Sequence, residues 1–361
     1  MRRRVTIQDI ARHSQASVTT VSMVLRNKPG IGAETRRRVL EAARELGYQR
    51  RTPAADQRAL RTVAMILRSR TSAANERVPG VNPFYSDVIS GIEAAARRER
   101  INLLYGTLPV DRTNRPYELP NHLLQQELDG VLLIGSFSSD TASAIADGQP
   151  GPTVLVDAPA RTSAHDAVVS DNHGGAYRAV RHLIDLGHRH IAVAGADLDA
   201  DPNFSQRRDG YLAALAEAGL EPCLITTELS GMDAVGDAVE EVLTTNPRIT
   251  AVFGANDASA IQAMRAAQRA GRRIPDDLSI VGFDDIALAS EVRPRLTTMT
   301  VDRITMGRQA IGMLLYRLEW PDACRLMTML QPELRERDST ARAPNHEPVR
   351  EPADTPAPAP G

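Results

Sequence analysis

The chain has 361 residues, and 42% of them are hydrophobic, which allows two or three domains with cores of their own. The longest apolar runs, at 131–135 and 191–195, are far too short to span a bilayer, and no apolar segment of a signal peptide follows the basic N-terminus. These features disfavour a membrane protein or an exported one, so we expect a cytoplasmic protein.

The overall charge of −2 hides a strong asymmetry between the start of the chain and the remainder. Residues 1–62 contain 14 basic side chains and five acidic ones, a net charge of +9, which leaves −11 for the residues that follow. A small basic segment on an acidic body is typical of proteins whose basic part meets a polyanion. The alternative is a basic disordered tail, which disagrees with the periodic apolar positions inside this segment.

Three helices are predicted in residues 1–49. Thr6 can cap the first, with Asp9 three residues later in a variant of the capping box, and Ser17 can cap the second. The third follows Gly32 and ends before Gly47. Each helix has apolar residues at helical spacing, namely Ile7, Ile10 and Ala11, then Val21, Val24 and Leu25, then Val39, Ala42, Ala43 and Leu46. The first two helices and their short turn make a helix-turn-helix.

The second predicted helix has an outer face opposite its apolar one, formed by Val18, Thr19, Thr20, Ser22 and Met23. In a helix-turn-helix the N-terminal part of this helix meets base edges in the major groove, and hydroxyl groups near a helix start suit phosphate oxygens. The alternative is a small helical bundle whose Ser and Thr side chains face water. The positive charge of the segment favours double-stranded DNA as its partner.

The run VTIQDIARHSQASVTTVSMVLRNKPGIGAETRRRVLEAARELGYQ, from Val5 to Gln49, resembles the headpiece of the lactose-repressor (LacI/GalR) family of bacterial transcription regulators. The resemblance implies a nucleoid-associated repressor in which Val18, Thr19 and Met23 read bases. It also implies phosphate contacts from Thr6, Ser17, Thr20, Ser22 and Asn27. Position 23 is commonly arginine or another polar base reader in the family. Methionine can touch a thymine methyl group but cannot donate a bidentate pair to guanine.

Residues 50–62 form a candidate hinge. Pro53 can open a helix, but seven or eight helical residues are too few for independent stability. By resemblance to the family, two such hinge helices meet in the minor groove of the operator, where a leucine from each wedges between base pairs. Leu60 is the leucine that we assign to this role, and Arg58 is its basic neighbour. The alternative is a plain flexible linker.

From residue 63 to about 338, strand-like runs alternate with helices, which predicts parallel sheets with helices on both faces. The strands are expected at VAMIL (63–67), INLLYG, VLLIGS, PTVLVD, AVVSD, IAVAGA, CLITTE, TAVFGAND, SIVGFDD and LTTMTVD. The helices are expected around 85–99, 173–186, 207–218, 232–244 and 258–270. The length of this region favours two doubly wound lobes over one. The motifs NPFYSDVISGIE, DGVLLIG and RRDGYLAALAEAGL resemble the two-lobed, periplasmic-binding-protein-like core of the same family, which binds an effector and dimerises.

Ligands of open α/β sheets bind beyond the carboxyl ends of the strands. That rule selects Ser136, Asp157, Asn256 and Asp284, whose carboxylate, amide and hydroxyl groups suit the hydroxyl groups of a sugar. The resemblance adds three candidate effector-binding residues, Phe84, Tyr85 and Arg207. Two alternatives remain: Asp257 and Asp285 are interpreted as helix caps, and Phe84 is also compatible with an ordinary core position.

No metal site or cofactor is expected. Cys223 and Cys324 lack metal-ligand spacing and are interpreted as free thiols, and no carboxylate or cysteine completes a tetrahedral set with His182, His188 and His190. The loop at 68–81 is longer than is usual in the family. Residues 339–361 are rich in Pro and Ala, and we expect them to be disordered. They also lack the heptads of a tetramerisation helix, which favours a homodimer.

We therefore expect a repressor that binds a palindromic operator as a dimer and is controlled by a small molecule, most simply a sugar, in the cleft of its core. A sugar-binding transport receptor would share the core but not residues 1–62. An enzyme acting on a sugar or nucleotide is the other alternative, since aspartates at strand ends can serve as acid and base. The chain lacks GxxxxGK[ST], GxGxxG after a strand, GxSxG and HExxH motifs, so no enzyme activity is expected.

Overall fold

The computed structural model describes residues 7–25, 31–45, 60–70, 83–111, 114–117, 128–158, 165–196, 198, 201–227 and 232–344. The chain divides into two compact units, which meet in the sequence between Ala59 and Leu60. We call the described part of the first unit the headpiece and that of the second unit the body. Among these residues no helix has both the length and the apolar character that a bilayer crossing requires.

The headpiece consists of three helices, α1 (Ile7–His13), α2 (Val18–Leu25) and α3 (Ala33–Glu45). Their apolar stripes meet in one core, as predicted, and this core contains Ile10, Ala11, Val21, Val24, Val39, Ala42 and Ala43. Ser17 caps α2, because its hydroxyl group accepts a hydrogen bond of 3.0 Å from the Thr20 amide, which satisfies one of the free N–H groups at the helix start. The predicted cap Thr6 and the core residue Leu46 lie outside the described residues.

The first lobe of the body has a six-stranded sheet in the order β11-β5-β4-β3-β1-β2, in which every pairing is parallel. Its strands are β1 (Thr62–Arg70), β2 (Asn102–Val110), β3 (Gly130–Ile134), β4 (Thr153–Val156), β5 (Asp166–Ser170) and β11 (Met327–Leu330). Its helices are α4 (Pro83–Glu99), α5 (Ser139–Asp147) and α11 (Arg303–Glu319). Alternate residues of β1 enter two different apolar clusters, as expected for a strand covered on both faces.

The second lobe has a sheet in the order β12-β10-β9-β8-β6-β7, which is parallel except for the antiparallel edge strand β12. Its strands are β6 (Ile191–Ala196), β7 (Cys223–Thr227), β8 (Ala251–Gly254), β9 (Ser279–Asp284), β10 (Thr297–Thr300) and β12 (Glu333–Arg335). Its helices are α6 (Asn172–Asp185), α7 (Pro202–Ala218), α8 (Met232–Thr245), α9 (Asp257–Arg269) and α10 (Ala287–Glu291). The chain passes between the lobes at 171, 301–302 and 331–332. The predicted two-lobed α/β fold is confirmed.

Leu60 belongs to the body and not to the hinge. Its side chain is only 3% exposed and lies in the main apolar cluster, where it and Leu314 fill the space in front of Gly130. A side chain that wedges between base pairs has to leave its own core, so the wedge role of Leu60 stays a prediction that requires the residue to leave this cluster. The body therefore begins three residues before the predicted boundary at 63. Arg58 and the rest of 46–59 lie outside the described residues.

The predicted disordered tail begins too early. Ser339 is fully buried, and its hydroxyl group donates to the Ile280 carbonyl at 2.6 Å and accepts from the Thr297 amide at 2.8 Å. The carbonyl of Ala341 lies 3.0 Å from Nε2 of His188. Hydrogen bonds hold residues 339–343 to the second lobe in place of apolar contacts, which is why no apolar stripe marked them. Residues 345–361 lie outside the described residues.

Candidate functional site

The carboxyl ends of strands from both sheets contribute to one buried polar cluster. Asp157 follows β4 of the first lobe, whereas Asp284 ends β9 of the second lobe and Arg207 lies on α7. With Arg68, Tyr85 and Asp201 they form what we call the interlobe site. All six residues are largely buried, and the most exposed side chain, that of Arg68, is 12% exposed. Their convergence agrees with the strand-end rule for ligand sites.

Arg207 has a partner for each of its three nitrogens. Nε donates to Asn172 Oδ1 at 2.8 Å and Nη1 donates to the Ala255 carbonyl at 2.7 Å. Nη2 lies 2.9 Å from Asp284 Oδ1 in a close ion pair that is not aligned as a hydrogen bond. The Phe283 ring lies 3.8 Å below the guanidinium carbon. Burial raises the pKa of Asp284, and the charge of Arg207 opposes that rise. Arg207 therefore orders several parts of the second lobe.

Asp157 has a buried oxygen without a hydrogen bond, as does Asp284, whose Oδ1 is held only by its ion pair with Arg207. Oδ2 of Asp157 accepts a hydrogen bond of 3.0 Å from the Tyr85 hydroxyl, whereas its Oδ1 is buried and has no hydrogen-bond partner. Burial, reinforced by the charges of Asp201 and Asp284 and opposed by that of Arg207, raises the pKa of Asp157 to about 7. A buried acceptor without a donor is costly, and a ligand hydroxyl or amine would relieve that cost.

A second carboxylate joins the two lobes. Asp201, at the start of α7, lies 2.7 Å from Nη2 of Arg68 at the end of β1, and the Ser136 hydroxyl donates to its other oxygen at 3.3 Å. Asn203 then donates through its side-chain amide to the Asp157 carbonyl at 2.9 Å. Gly135 lets these groups approach, since a Cβ there would lie 3.1 Å from the Tyr85 hydroxyl and at a positive φ of 91°.

Two aspartates of the site have backbone conformations that favour glycine. Asp157 has φ 56° and Asp284 has φ 111°. Non-glycine residues in such conformations cost on the order of 1–3 kcal/mol each and concentrate at functional sites. Each strained residue ends or follows a strand and points its carboxyl group into the same cluster. This backbone evidence supports the site independently of the side-chain contacts.

A further arginine connects the lobes beside the site. Arg303, at the start of α11, lies 2.7 Å from Asp87 of α4 in the first lobe. The same guanidinium donates to the carbonyl groups of Asp284 and Asp285 in the second lobe, the latter at 3.0 Å. It also lies 5.8 Å from the centre of the Phe84 ring. Arg303 thus ties the strand that carries Asp284 to the helix that carries Tyr85.

Two predicted site residues, Phe84 and Asn256, have structural roles, and two predicted helix caps, Asp257 and Asp285, do not cap helices. Phe84 is 4% exposed and belongs to the apolar core, which matches its alternative interpretation. Asn256 caps α9 by accepting a hydrogen bond of 2.8 Å from the Ser259 amide. The prediction that Asp257 is the cap is therefore wrong: its carboxylate accepts from the Ile286 amide at 2.7 Å and from the Thr298 hydroxyl. Asp285 is also not a cap, because it pairs with arginines and accepts from Thr300.

The histidines hold the C-terminal segment. His188 is fully buried, with Nδ1 2.9 Å from the Thr250 hydroxyl, and Nε2 of His182 lies 3.2 Å from the Thr340 hydroxyl. Burial lowers the pKa of His182. Within the described part of the chain there is no group of three or more side chains suited to a metal ion.

The comparisons with known proteins agree with both units. A model of bacterial regulatory proteins of the lacI family matches residues 6–51, and a model of the periplasmic binding protein-like domain matches residues 180–340. The ribose operon repressor of Haemophilus influenzae is 32% identical over 337 residues, which cover 91% of this chain and 96% of that repressor. The chain belongs to the lacI family.

Other lacI-family members show the same relationship over the whole chain. Catabolite control protein A of Priestia megaterium is 31% identical over 314 residues, which cover 86% of this chain and 91% of that protein. The solved complex of the transcriptional regulator CelR with cellobiose has a TM-score of 0.66 and 27% identity, and the match covers 93% of this chain and 100% of that one. The lacI-family members are DNA-binding regulators of transcription and not enzymes. Membership of the family confirms the prediction of a DNA-binding regulator and the prediction that the protein is not an enzyme.

In this lacI-family headpiece, α2 carries most of the residues that the sequence predicts to contact DNA, and these contacts stay a prediction. Val18 is 49% exposed at the start of the helix, beside Ser17, whose hydroxyl lies 2.8 Å from that of Thr20. Thr19, Ser22 and Met23 lie on the same helix, but their side chains are outside the described set. Thr6 and Asn27 are outside it entirely. An exposed valine at the N-terminus of α2 is well placed to contact a thymine methyl group.

Sequence reasoning missed Arg68, Asn172, Asp201, Asn203 and Arg303. Two of them had usable signals. Asn172 lies two residues after the end of β5, at a position that the strand-end rule covers. Asp201 precedes Pro202, which is the pattern of an N-cap followed by proline at the first helical position, and it does cap α7. The predicted helix began at 207, five residues too late, which hid that signal.

Proposed function

We propose that this protein is a homodimeric transcriptional repressor that binds a near-palindromic operator and senses a sugar or sugar-like effector in the interlobe site. The observation that carries the proposal is the union, in one chain, of a basic helix-turn-helix and a buried polar site between two lobes. A dimer would place one α2 in each of two half-sites, so the operator would share its twofold symmetry.

Ser17, Val18, Thr19, Thr20, Ser22 and Met23 would face the operator. In the interlobe site, Tyr85, Asp157, Arg207 and Asp284 would contact the effector with Ser136 and Asn256 nearby. The sugar class is supported by the acceptor and donor groups of these residues. It is also supported by the relatives, since the CelR structure holds cellobiose and another relative is named a ribose operon repressor.

The test begins with selection of bound sequences from a random duplex library at about 0.15 M salt, where phosphate contacts alone are weak. We expect enrichment of a near-palindrome, binding of one protein dimer per duplex by analytical ultracentrifugation, and a change in duplex affinity when one sugar of a panel is added. If the enriched sequences have no twofold symmetry, or if scrambled duplexes bind equally well, the proposal is refuted.

A further inference from the structure

The charges of the interlobe site are almost fully paired. Two guanidinium groups face three carboxyl groups: Arg68 pairs with Asp201 at 2.7 Å and Arg207 pairs with Asp284 at 2.9 Å. Just outside, Arg303 pairs with Asp87 at 2.7 Å. Among the described residues, each cation at the site is therefore already neutralised by a carboxylate of the protein.

The remaining carboxyl group is that of Asp157. Its residue is 5% exposed, and its Oδ1 lacks any hydrogen-bond donor. The Tyr85 hydroxyl already donates its hydrogen to Oδ2. Arg207 directs one N–H group of each nitrogen to Asn172, Ala255 and Asp284, which uses three of its five N–H groups and balances its charge with that of Asp284. What the protein leaves for a ligand at this point is an acceptor, and not a cation.

We infer that the effector is an uncharged molecule with several hydroxyl groups, and that the interlobe site rejects the same molecule when it carries a phosphate or carboxylate group. This inference rests on the proposed sensor function. A hydroxyl hydrogen donated to Asp157 Oδ1 satisfies the unpaired atom. At pH 8, where Asp157 is mostly ionised, an anionic group placed here meets a third carboxylate and has no guanidinium without a carboxylate partner to receive it. Such like-charge contacts are strongly unfavourable in buried sites.

The test uses titration calorimetry at pH 8, above the pKa of Asp157, on the purified full chain. The matched pairs are ribose and ribose 5-phosphate, glucose and glucose 6-phosphate, and glucose and gluconate. For the uncharged sugar that binds best, we expect its anionic partner to bind at least about a hundredfold more weakly. An anionic partner that binds as tightly or more tightly overturns the inference. The inference is also overturned if no uncharged sugar binds at concentrations up to about 10 mM.

Asp157→Asn provides a second measurement. This variant lacks the unpaired charge, and a charged acceptor makes the stronger hydrogen bond, so the sugar should bind about tenfold more weakly. The difference in affinity between the sugar and its phosphate should also become smaller. Asp140→Asn, at an exposed position of α5, is the matched control and should change neither value. An unchanged gap in Asp157→Asn overturns the role of Asp157, and the wild-type comparison stands even if this variant fails to fold.

Duplex binding, measured on the same samples, separates this inference from the sensor function. If a phosphorylated sugar binds best and shifts duplex affinity, the sensor function stands and the charge preference is wrong. If the uncharged sugar binds selectively but leaves duplex affinity unchanged, the charge preference stands and the sensor function is wrong.

Discussion

Replacement of Arg207 by methionine should destabilise the body, because it leaves Asp284 as a buried carboxylate without a cation. Arg207 and Asp284 are 3% and 10% exposed and 2.9 Å apart. Removal of one partner of a buried pair costs about 3–5 kcal/mol. For a unit of this size, about 1 kcal/mol corresponds to roughly 2 °C in Tm. Arg207→Met should therefore lower the Tm of the body by about 6–10 °C at pH 8.

The pH dependence of this loss identifies its cause. Without Arg207, burial holds the folded-state pKa of Asp284 well above its unfolded value. The folded protein then retains a proton that the unfolded chain releases, so stability falls as pH rises between the two pKa values. The difference in Tm between Arg207→Met and wild type should thus be smaller at pH 5 than at pH 8. Differential scanning calorimetry of the full chain at both pH values measures this difference.

Arg269→Met is the matched control in the same lobe. Arg269 is 45% exposed and pairs with Glu240 and Asp237 on the surface. Exposed pairs of this kind contribute no more than about 1 kcal/mol, so its Tm should stay within about 2 °C of wild type at both pH values. A comparably small shift in Arg207→Met, or a shift that does not depend on pH, would refute the assignment of a buried, structurally required ion pair.

Three further outcomes are expected. Effector affinity should rise by about fivefold from pH 6 to pH 7 and by about tenfold in all by pH 8, where it levels off. The reason is that Asp157 has a pKa of about 7 and a donating hydroxyl favours its ionised form, so calorimetry on Asp157→Asn should show a flat profile. Ser17→Ala should destabilise α2 by about 1 kcal/mol, which hydrogen exchange would show as roughly fivefold faster exchange of the α2 amides. Unchanged exchange would show that the Ser17 cap does not stabilise α2. Deletion from Ser339 onward should lower Tm by several degrees, whereas deletion from His346 onward should leave it unchanged, and equal Tm values would contradict the packing of 339–343.

The headpiece and the layout of the body were readable from the sequence because both depend on local periodicity. The spacing of Val21 and Val24 marks the buried face of α2, and a hydroxyl residue before a helix marks its cap. The strand-end rule was equally productive. It selected both Asp157 and Asp284, because each sheet places the carboxyl ends of its parallel strands along one edge. The two residues belong to different sheets, and they meet because these two edges face each other.

The contacts that local patterns could not reveal depend on which elements face each other. Arg68 and Asp201 are joined only once the two lobes meet, and neither stands in a motif that names its partner. The burial of Leu60 was missed for a related reason. A leucine ahead of a strand is equally compatible with a free hinge and with a core, and only the space in front of Gly130 decides between them. Residues 339–343 have no apolar periodicity, since hydrogen bonds hold them.

The interlobe contacts set a limit on what an effector can do. The body already joins its lobes through Arg68 with Asp201 and through Arg303, which donates to Asp87 and to the Asp285 carbonyl. A ligand shifts a conformational equilibrium only by its difference in affinity for the two states. In this structure Asp157 comes from one lobe and Arg207 with Asp284 from the other, so a molecule that touched all three would gain contacts that separation of the lobes would remove. A hydroxyl group bound to the unsatisfied Asp157 oxygen would thus favour the arrangement in which the two lobes lie together.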